Sequence, residues 1–133
     1  MHLEQLDVKT SFLYGDFDGY EFKGKDNLVC RLKKSLYGLK QAPRKWYLKF
    51  NKFMTEQGYS RCQSDHCVFF KSLDNGRYII LLFYVDEILV AGSNIQVITV
   101  LKRKLAKSFT MKDLGATKKI LGMRITRDMK NCK

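Results

Sequence analysis

Four cysteines, a single proline and no apolar run longer than Tyr78 to Val85 set the first limits on this 133-residue chain. Cys30, Cys62, Cys67 and Cys132 are scattered and form no CxxC pair, which speaks against a zinc knuckle or a dense disulfide scaffold. Reduced thiols in an intracellular protein fit this pattern. Cys62, His66 and Cys67 come nearest to a ligand cluster, but the Cys-His pair is adjacent and no fourth partner stands at a fixed spacing; a buried structural pair is the simpler reading. The apolar run falls far short of the roughly 20 residues that a membrane-spanning helix needs. Met1 to Thr10 alternates polar and apolar residues in strand fashion, unlike a secretory leader. The expectation is a protein of the cytoplasm or nucleus that is neither secreted nor membrane-bound.

Acidic residues are also scarce: 13 Asp and Glu stand against 25 Lys and Arg, a formal charge of +12. Such a balance raises affinity for a polyanion through counterion release, so nucleic acid leads the partner classes, with a merely solvated Lys-rich surface as the alternative. What is present suits one core, with 45% hydrophobic and 13% aromatic residues.

Leu3 to Leu13 reads as a strand entering a turn at Gly15, and Asn27 to Leu32 as a short alternating strand. A helix is expected from Pro43, a residue favoured in the first turn, to Gly58, which suits a C-terminal cap. Trp46, Phe50, Phe53 and Met54 give it one apolar stripe. Asp65 to Lys71 and Tyr78 to Val85 bracket Asp74-Asn75-Gly76 and read as a hairpin, with Ile88 to Ala91 as a further strand. A second helix spans about 94 to 108, with Ile98, Leu101 and Leu105 inward and Lys102, Arg103, Lys104 and Lys107 largely outward. Ile120 to Thr126 reads as a last strand. The pattern argues an α+β fold, two main helices packed on one face of a mainly antiparallel sheet.

Tyr84-Val85-Asp86-Glu87 sets two neighbouring acids after one apolar strand and before another. Neighbours on a regular strand point to opposite faces, so two adjacent acids can serve one site only at a turn. A polar hairpin tip explains them equally well. Asp7 is a potential partner, a lone acid in the apolar stretch Leu6 to Val8, where burial is unfavourable without a cation. An acid on one strand and an acid pair on the next hairpin can hold two divalent cations roughly 3.5 to 4 Å apart.

Leu6-Asp7-Val8-Lys9-Thr10-Ser11-Phe12-Leu13 resembles the first catalytic motif of copia-type LTR retrotransposon reverse transcriptases, the RNA-directed DNA polymerase domain of Pol polyproteins. Val29 through Arg44, followed by Trp46, resembles their template- and nucleotide-contacting motif. Tyr84-Val85-Asp86-Glu87 resembles the family's tyrosine-x-Asp-Asp box except at Glu87. Phe109, Met111 to Gly115 and Leu121 to Met123 are similar to the closing segment.

The resemblance implies a reverse-transcriptase palm-like sheet and two-metal nucleotidyl transfer, with Asp7, Asp86 and Glu87 as catalytic and metal-binding residues and two Mg2+ ions, or Mn2+, as cofactors. It implies that Phe12, Gly38, Gln41, Pro43 and Tyr84 bind the nucleotide, Phe12 by excluding a ribose 2′-hydroxyl. Phe12 as a core aromatic and Gly38 as a turn glycine remain alternatives. Lys33, Lys34, Lys40, Arg44 and Lys45 would contact an RNA or DNA template-primer, and deoxynucleoside triphosphates would be the substrates. Glu87 adds a methylene to the box, and the stretch between Asp16 and Lys23 is shorter than usual in the family. Residues 1–133 are expected to form a single partial domain, a palm segment without fingers, thumb-like connection or ribonuclease H, weak or inactive alone; a basic nucleic-acid-binding remnant is the alternative.

Overall fold

The computed structural model describes residues 1–9, 40 and 42–126. The chain divides into two compact units, Thr10–Tyr59 and the combination of Met1–Lys9 with Ser60–Lys133. The expected strand at Asn27 to Leu32 lies outside the described residues.

In the first unit, α1 spans Ala42–Glu56. Pro43 sits in its first turn, where a missing N–H removes no intrahelical bond. Ala42, Trp46, Phe50 and Met54 are buried at helical spacing, and the Trp46 and Phe50 rings meet at 5.6 Å with a 49° tilt. Phe53, expected in that stripe, is half-buried. Gly58, at φ 77, ends the helix. The Tyr59 N–H reaches back to the Met54 carbonyl at 3.0 Å and the Gly58 N–H to the Thr55 carbonyl at 2.9 Å. This is the paired closure that a left-handed glycine permits.

The second unit is built on a six-stranded antiparallel sheet in the order β2-β3-β4-β5-β1-β6, from β1 (His2–Val8), β2 (Ser60–Arg61), β3 (Val68–Leu73), β4 (Arg77–Tyr84), β5 (Glu87–Gly92) and β6 (Met111–Ala116). The β3–β4 hairpin turns at Asp74-Asn75-Gly76 as expected, with Asn75 and Gly76 at φ 64 and 67. Strand β3 begins at Val68 rather than Asp65, because the Asp65 carboxylate accepts the Cys67 N–H at 2.8 Å and holds a turn there. One sheet face carries the buried residues Leu6, Val8, Ile79, Leu81, Ile88 and Val90. Helix α2 (Ile95–Ser108), capped by the Asn94 side chain on the Gln96 N–H at 2.8 Å, lies against β1, β5 and β6. It buries Ile98, Leu101 and Leu105. Two helices and an antiparallel sheet make the expected α+β class.

Two expectations need correction. Ile120 to Thr126 is not one strand: Leu121 and Gly122, at φ 46 and 82, turn the chain between β7 (Lys119–Ile120) and β8 (Met123–Arg124). Lys102 does not point to solvent; its side chain is 13% exposed and bridges Glu4 on β1 at 2.8 Å and Asp113 on β6 at 2.6 Å. Burial pulls the Lys102 pKa down, but hydrogen bonds and charge from Asp113 and Glu4 outweigh it and hold it above its usual value. Burial likewise raises Asp113, while Lys102 and the Gly115 N–H lower it further, leaving it below the usual carboxylate range.

Lys102→Met, which keeps the apolar stem and strands Glu4 at 15% exposure, is expected to destabilise the fold by about 2 kcal/mol in urea melts. The raised Lys102 contributes stability below its ordinary pKa that is lost as pH rises through the higher folded value. The lowered Asp113 contributes stability above its ordinary pKa that is lost as pH falls through the lower one. The wild-type advantage should therefore hold across neutral pH and shrink at both extremes; an advantage that persisted undiminished at either extreme would contradict the triad.

Candidate active site

Strands β4 and β5 are joined by a turn of only Val85 and Asp86, and Tyr84 pairs directly with Glu87. Val85 has φ 56, a left-handed conformation unfavourable for a β-branched residue and of the kind that clusters at functional sites. Because the turn is this short, Glu87 rather than Asp86 is the first strand residue. In the β1–β5 register Glu87 stands directly opposite Asp7. Directly opposed residues share a sheet face, so both carboxylates leave on the face away from α2, and the Tyr84 ring leaves on the same side. Asp86 stays in the turn, exposed, tied to β1 by the bond from the Val8 N–H to its carbonyl at 2.8 Å.

Of the three acids expected at one site, Asp7 and Glu87 thus meet in the ladder and Asp86 lies beyond it. Glu87 is the cross-strand partner of Asp7, and Asp86 is its neighbour through the backbone of the turn. One oxygen of Glu87, Oε2, is buried with no hydrogen-bond partner. An unpaired buried carboxylate oxygen is unfavourable by several kcal/mol unless a cation or proton meets it.

Of the other expected site residues, Tyr84 is 50% exposed at the end of β4. Pro43 and Arg44 are exposed in the first turn of α1, Lys45 is half-buried there, and Lys40 is exposed just ahead of it. Phe12, Lys33, Lys34, Gly38 and Gln41 lie outside the described residues. Sequence reasoning assigned no role to Lys112, which pairs with Asp7 from β6 and so shares its sheet face. The row Glu87, Asp7, Lys112 crosses three strands. In the sequence Lys112 stood within the closing-segment resemblance, in a stretch without clear alternation.

A divalent cation suits the acid pair chemically. The donors are hard oxygens, and the bare Glu87 Oε2 is the atom that such an ion would satisfy. Among the described residues no three His, Cys, Asp or Glu side chains form a ready-made metal cluster. Mg2+ needs no such cage: it is commonly held by one or two carboxylates, with water and substrate phosphates completing the shell. Cys62 and Cys67 are free, half-buried thiols, and burial, with Asp65 alongside, pushes Cys67 above its usual pKa. No helix among the described residues is long and apolar enough to cross a membrane.

Comparison with known proteins adds independent findings. A family model described as "Reverse transcriptase (RNA-dependent DNA polymerase)" matches residues 1–133. The chain is 51% identical over 96% of its length to the retrovirus-related Pol polyprotein from transposon TNT 1-94 of Nicotiana tabacum, of which it covers 10%. It is 34% identical over 94% of its length to the retrovirus-related Pol polyprotein from transposon RE1 of Arabidopsis thaliana, covering 9% of that protein. It is 33% identical over 77% of its length to the transposon Ty1-DR5 Gag-Pol polyprotein of Saccharomyces cerevisiae, covering 6%. The chain therefore spans a tenth or less of these relatives. No solved structure matches it.

Proposed function

This chain belongs to the reverse transcriptase family of RNA-dependent DNA polymerases, and from that membership we propose that it forms the palm part of a transposon polymerase that extends a DNA primer by two-metal nucleotidyl transfer. The observation that carries the reading is the register of β1 against β5, which sets Asp7 opposite Glu87 and leaves a buried Glu87 oxygen without a partner. Two like charges side by side are unfavourable in a structural role, and a site for divalent cations gives them a reason.

Asp7 and Glu87, with Asp86 at the turn, would hold Mg2+ or Mn2+. When bound, such ions make a primer 3′-hydroxyl a better nucleophile and spread the charge that develops on the reacting phosphate. The chain's own task is to supply negative charge at one edge of the sheet face and to keep it in place through the Val8–Asp86 backbone bond. Tyr84 offers a half-exposed ring on that face for a nucleotide. Phe12, Gly38, Gln41 and Pro43 would bind the nucleotide in this reading, as the family resemblance implies, with Phe12 selecting deoxynucleotides. Lys33, Lys34, Lys40, Arg44 and Lys45 grip the template-primer backbone. The polymerase would work in the cytoplasm or nucleus, where a template is available.

A second reading, a basic nucleic-acid-binding remnant without catalysis, is favoured by Glu87 standing where the family has Asp. Primer extension separates the two. With this segment replacing its counterpart in the tobacco relative's polyprotein, RNA-templated synthesis with Mg2+ or Mn2+ is expected at a reduced level. No extension from the graft, while the parent extends and the graft still binds template-primer, would favour the remnant.

A further inference from the structure

The cations of α2 divide into two kinds. Lys102 is turned to the sheet and neutralised by Glu4 and Asp113. Arg103, Lys104 and Lys107 are exposed and form no ion pair among the described residues. At about 100° of rotation per residue, these three fall within an arc of about 100° that points away from buried Ile98, Leu101 and Leu105. The helix, IQVITVLKRKLAKS, contains no acid to offset them. Arg103 and Lys107 are four residues apart, where like charges repel. Lys107 gains something from the C-terminal end of the helix dipole, but Arg103 and Lys104 do not sit in the last turn. The Lys102 triad fixes the rotation of the helix and so keeps this uncompensated positive face outward.

The face is distinct from the candidate active site. Helix α2 packs on the sheet face of Leu6, Ile88 and Val90, whereas Asp7 and Glu87 leave on the opposite face. We propose that Arg103, Lys104 and Lys107 form a second nucleic-acid contact, a sequence-independent seat for the phosphodiester backbone of single-stranded RNA on the back of the sheet. The chemistry favours RNA over an acidic protein. Arg103 also lines a pocket beside Lys102, Met111 and Asp113, but Lys104 and Lys107 lie outside its lining and the helix carries no aromatic anchor of the kind that lends specificity to a protein interface. The three cations form a band of charge, and a polyphosphate recovers counterion-release free energy at each contact. A strand held there stays clear of the acids that would repel it and keeps a long template close to the site. The inference needs RNA as a ligand, as the proposed function does, but needs neither metals nor catalysis.

The test uses oligouridylate, which lacks stable structure, titrated at several salt concentrations against the chain and its Arg103→Gln/Lys104→Gln/Lys107→Gln variant. Gln has a helix propensity close to that of Lys and Arg, so the fold is retained. Three lost contacts at roughly 0.7 each are expected to reduce the salt slope of log K by about 2 and to weaken low-salt binding on the order of tenfold. A second measurement needs no variant: bound RNA should slow acylation of Lys104 and Lys107 in the wild-type chain. An Asp7→Asn/Glu87→Gln chain should keep this protection even if polymerisation is absent, so failure of the polymerase reading and failure of this one look different. An unchanged slope, unprotected Lys104 and Lys107, or equal protection by polyglutamate would each overturn the proposal.

Discussion

Asn in place of Asp7 is expected to make the folded chain more stable and to abolish polymerisation. Asp7 faces Glu87 across β1 and β5, and like charges directly opposite each other oppose sheet formation. Removing one charge should therefore stabilise the metal-free fold by about 0.5 kcal/mol, a gain limited by Lys112 on the other side of Asp7. The same change removes a ligand from the proposed cation site. Within the grafted polyprotein it should lower extension by about a thousandfold, since a metal contributes several kcal/mol to the transition state. Mg2+ should raise the melting temperature of the wild-type chain and leave that of Asp7→Asn unchanged, because only a protein that binds the ion is stabilised by it. A wild-type chain whose melting point ignores millimolar Mg2+ and Mn2+, together with an Asp7→Asn variant no more stable than wild type, would remove the acid pair as a cation site.

The helices were legible because their signals are local. Trp46, Phe50 and Met54 at helical spacing, Gly58 as a terminator and the inward stripe of Ile98, Leu101 and Leu105 need no knowledge of the rest of the chain. The Asn75-Gly76 turn was legible for the same reason. Strand β6 was not: Met111–Ala116 is mostly exposed, and its register shifts between Gln5 and Leu6 opposite Leu114, so alternation is broken where it would have been read. Lys102 was also hidden, since nothing in its own sequence context separates it from the cations that follow. Its role is set by Glu4 and Asp113, which only the tertiary fold brings to it.

The candidate site was legible as a set of residues but not as an arrangement. The motif around Asp86 drew attention to the first acid of the pair, and alternation along a strand offers no way to decide which of two neighbours at a hairpin tip belongs to the strand. That is decided by the length of the turn. With two residues in it, Glu87 falls opposite Asp7 and Asp86 falls outside the ladder. The position at which the chain departs from its family is therefore the one nearest Asp7 in the register.

Glu87→Asp follows from that placement, and its effect depends on what limits the reaction. Shortening the side chain by one methylene withdraws the buried Oε2 toward the backbone and restores the reach found in the family's box. A displacement on the order of an ångström at a reacting centre can change rate by about a hundredfold. In the isolated 133-residue chain the reversion is nevertheless expected to leave primer extension near background. Phosphoryl transfer depends mainly on holding the triphosphate in line, and carboxylates alone hold only its metals. Within the grafted polyprotein, where the relative supplies the rest of the polymerase, the same reversion should raise extension by roughly ten- to a hundredfold at unchanged template-primer affinity. Vigorous extension by the isolated Glu87→Asp chain would show that side-chain reach, not triphosphate positioning, is the limiting defect. No gain in the graft would show that the site tolerates either acid, and that Glu87 acts through its charge rather than its length.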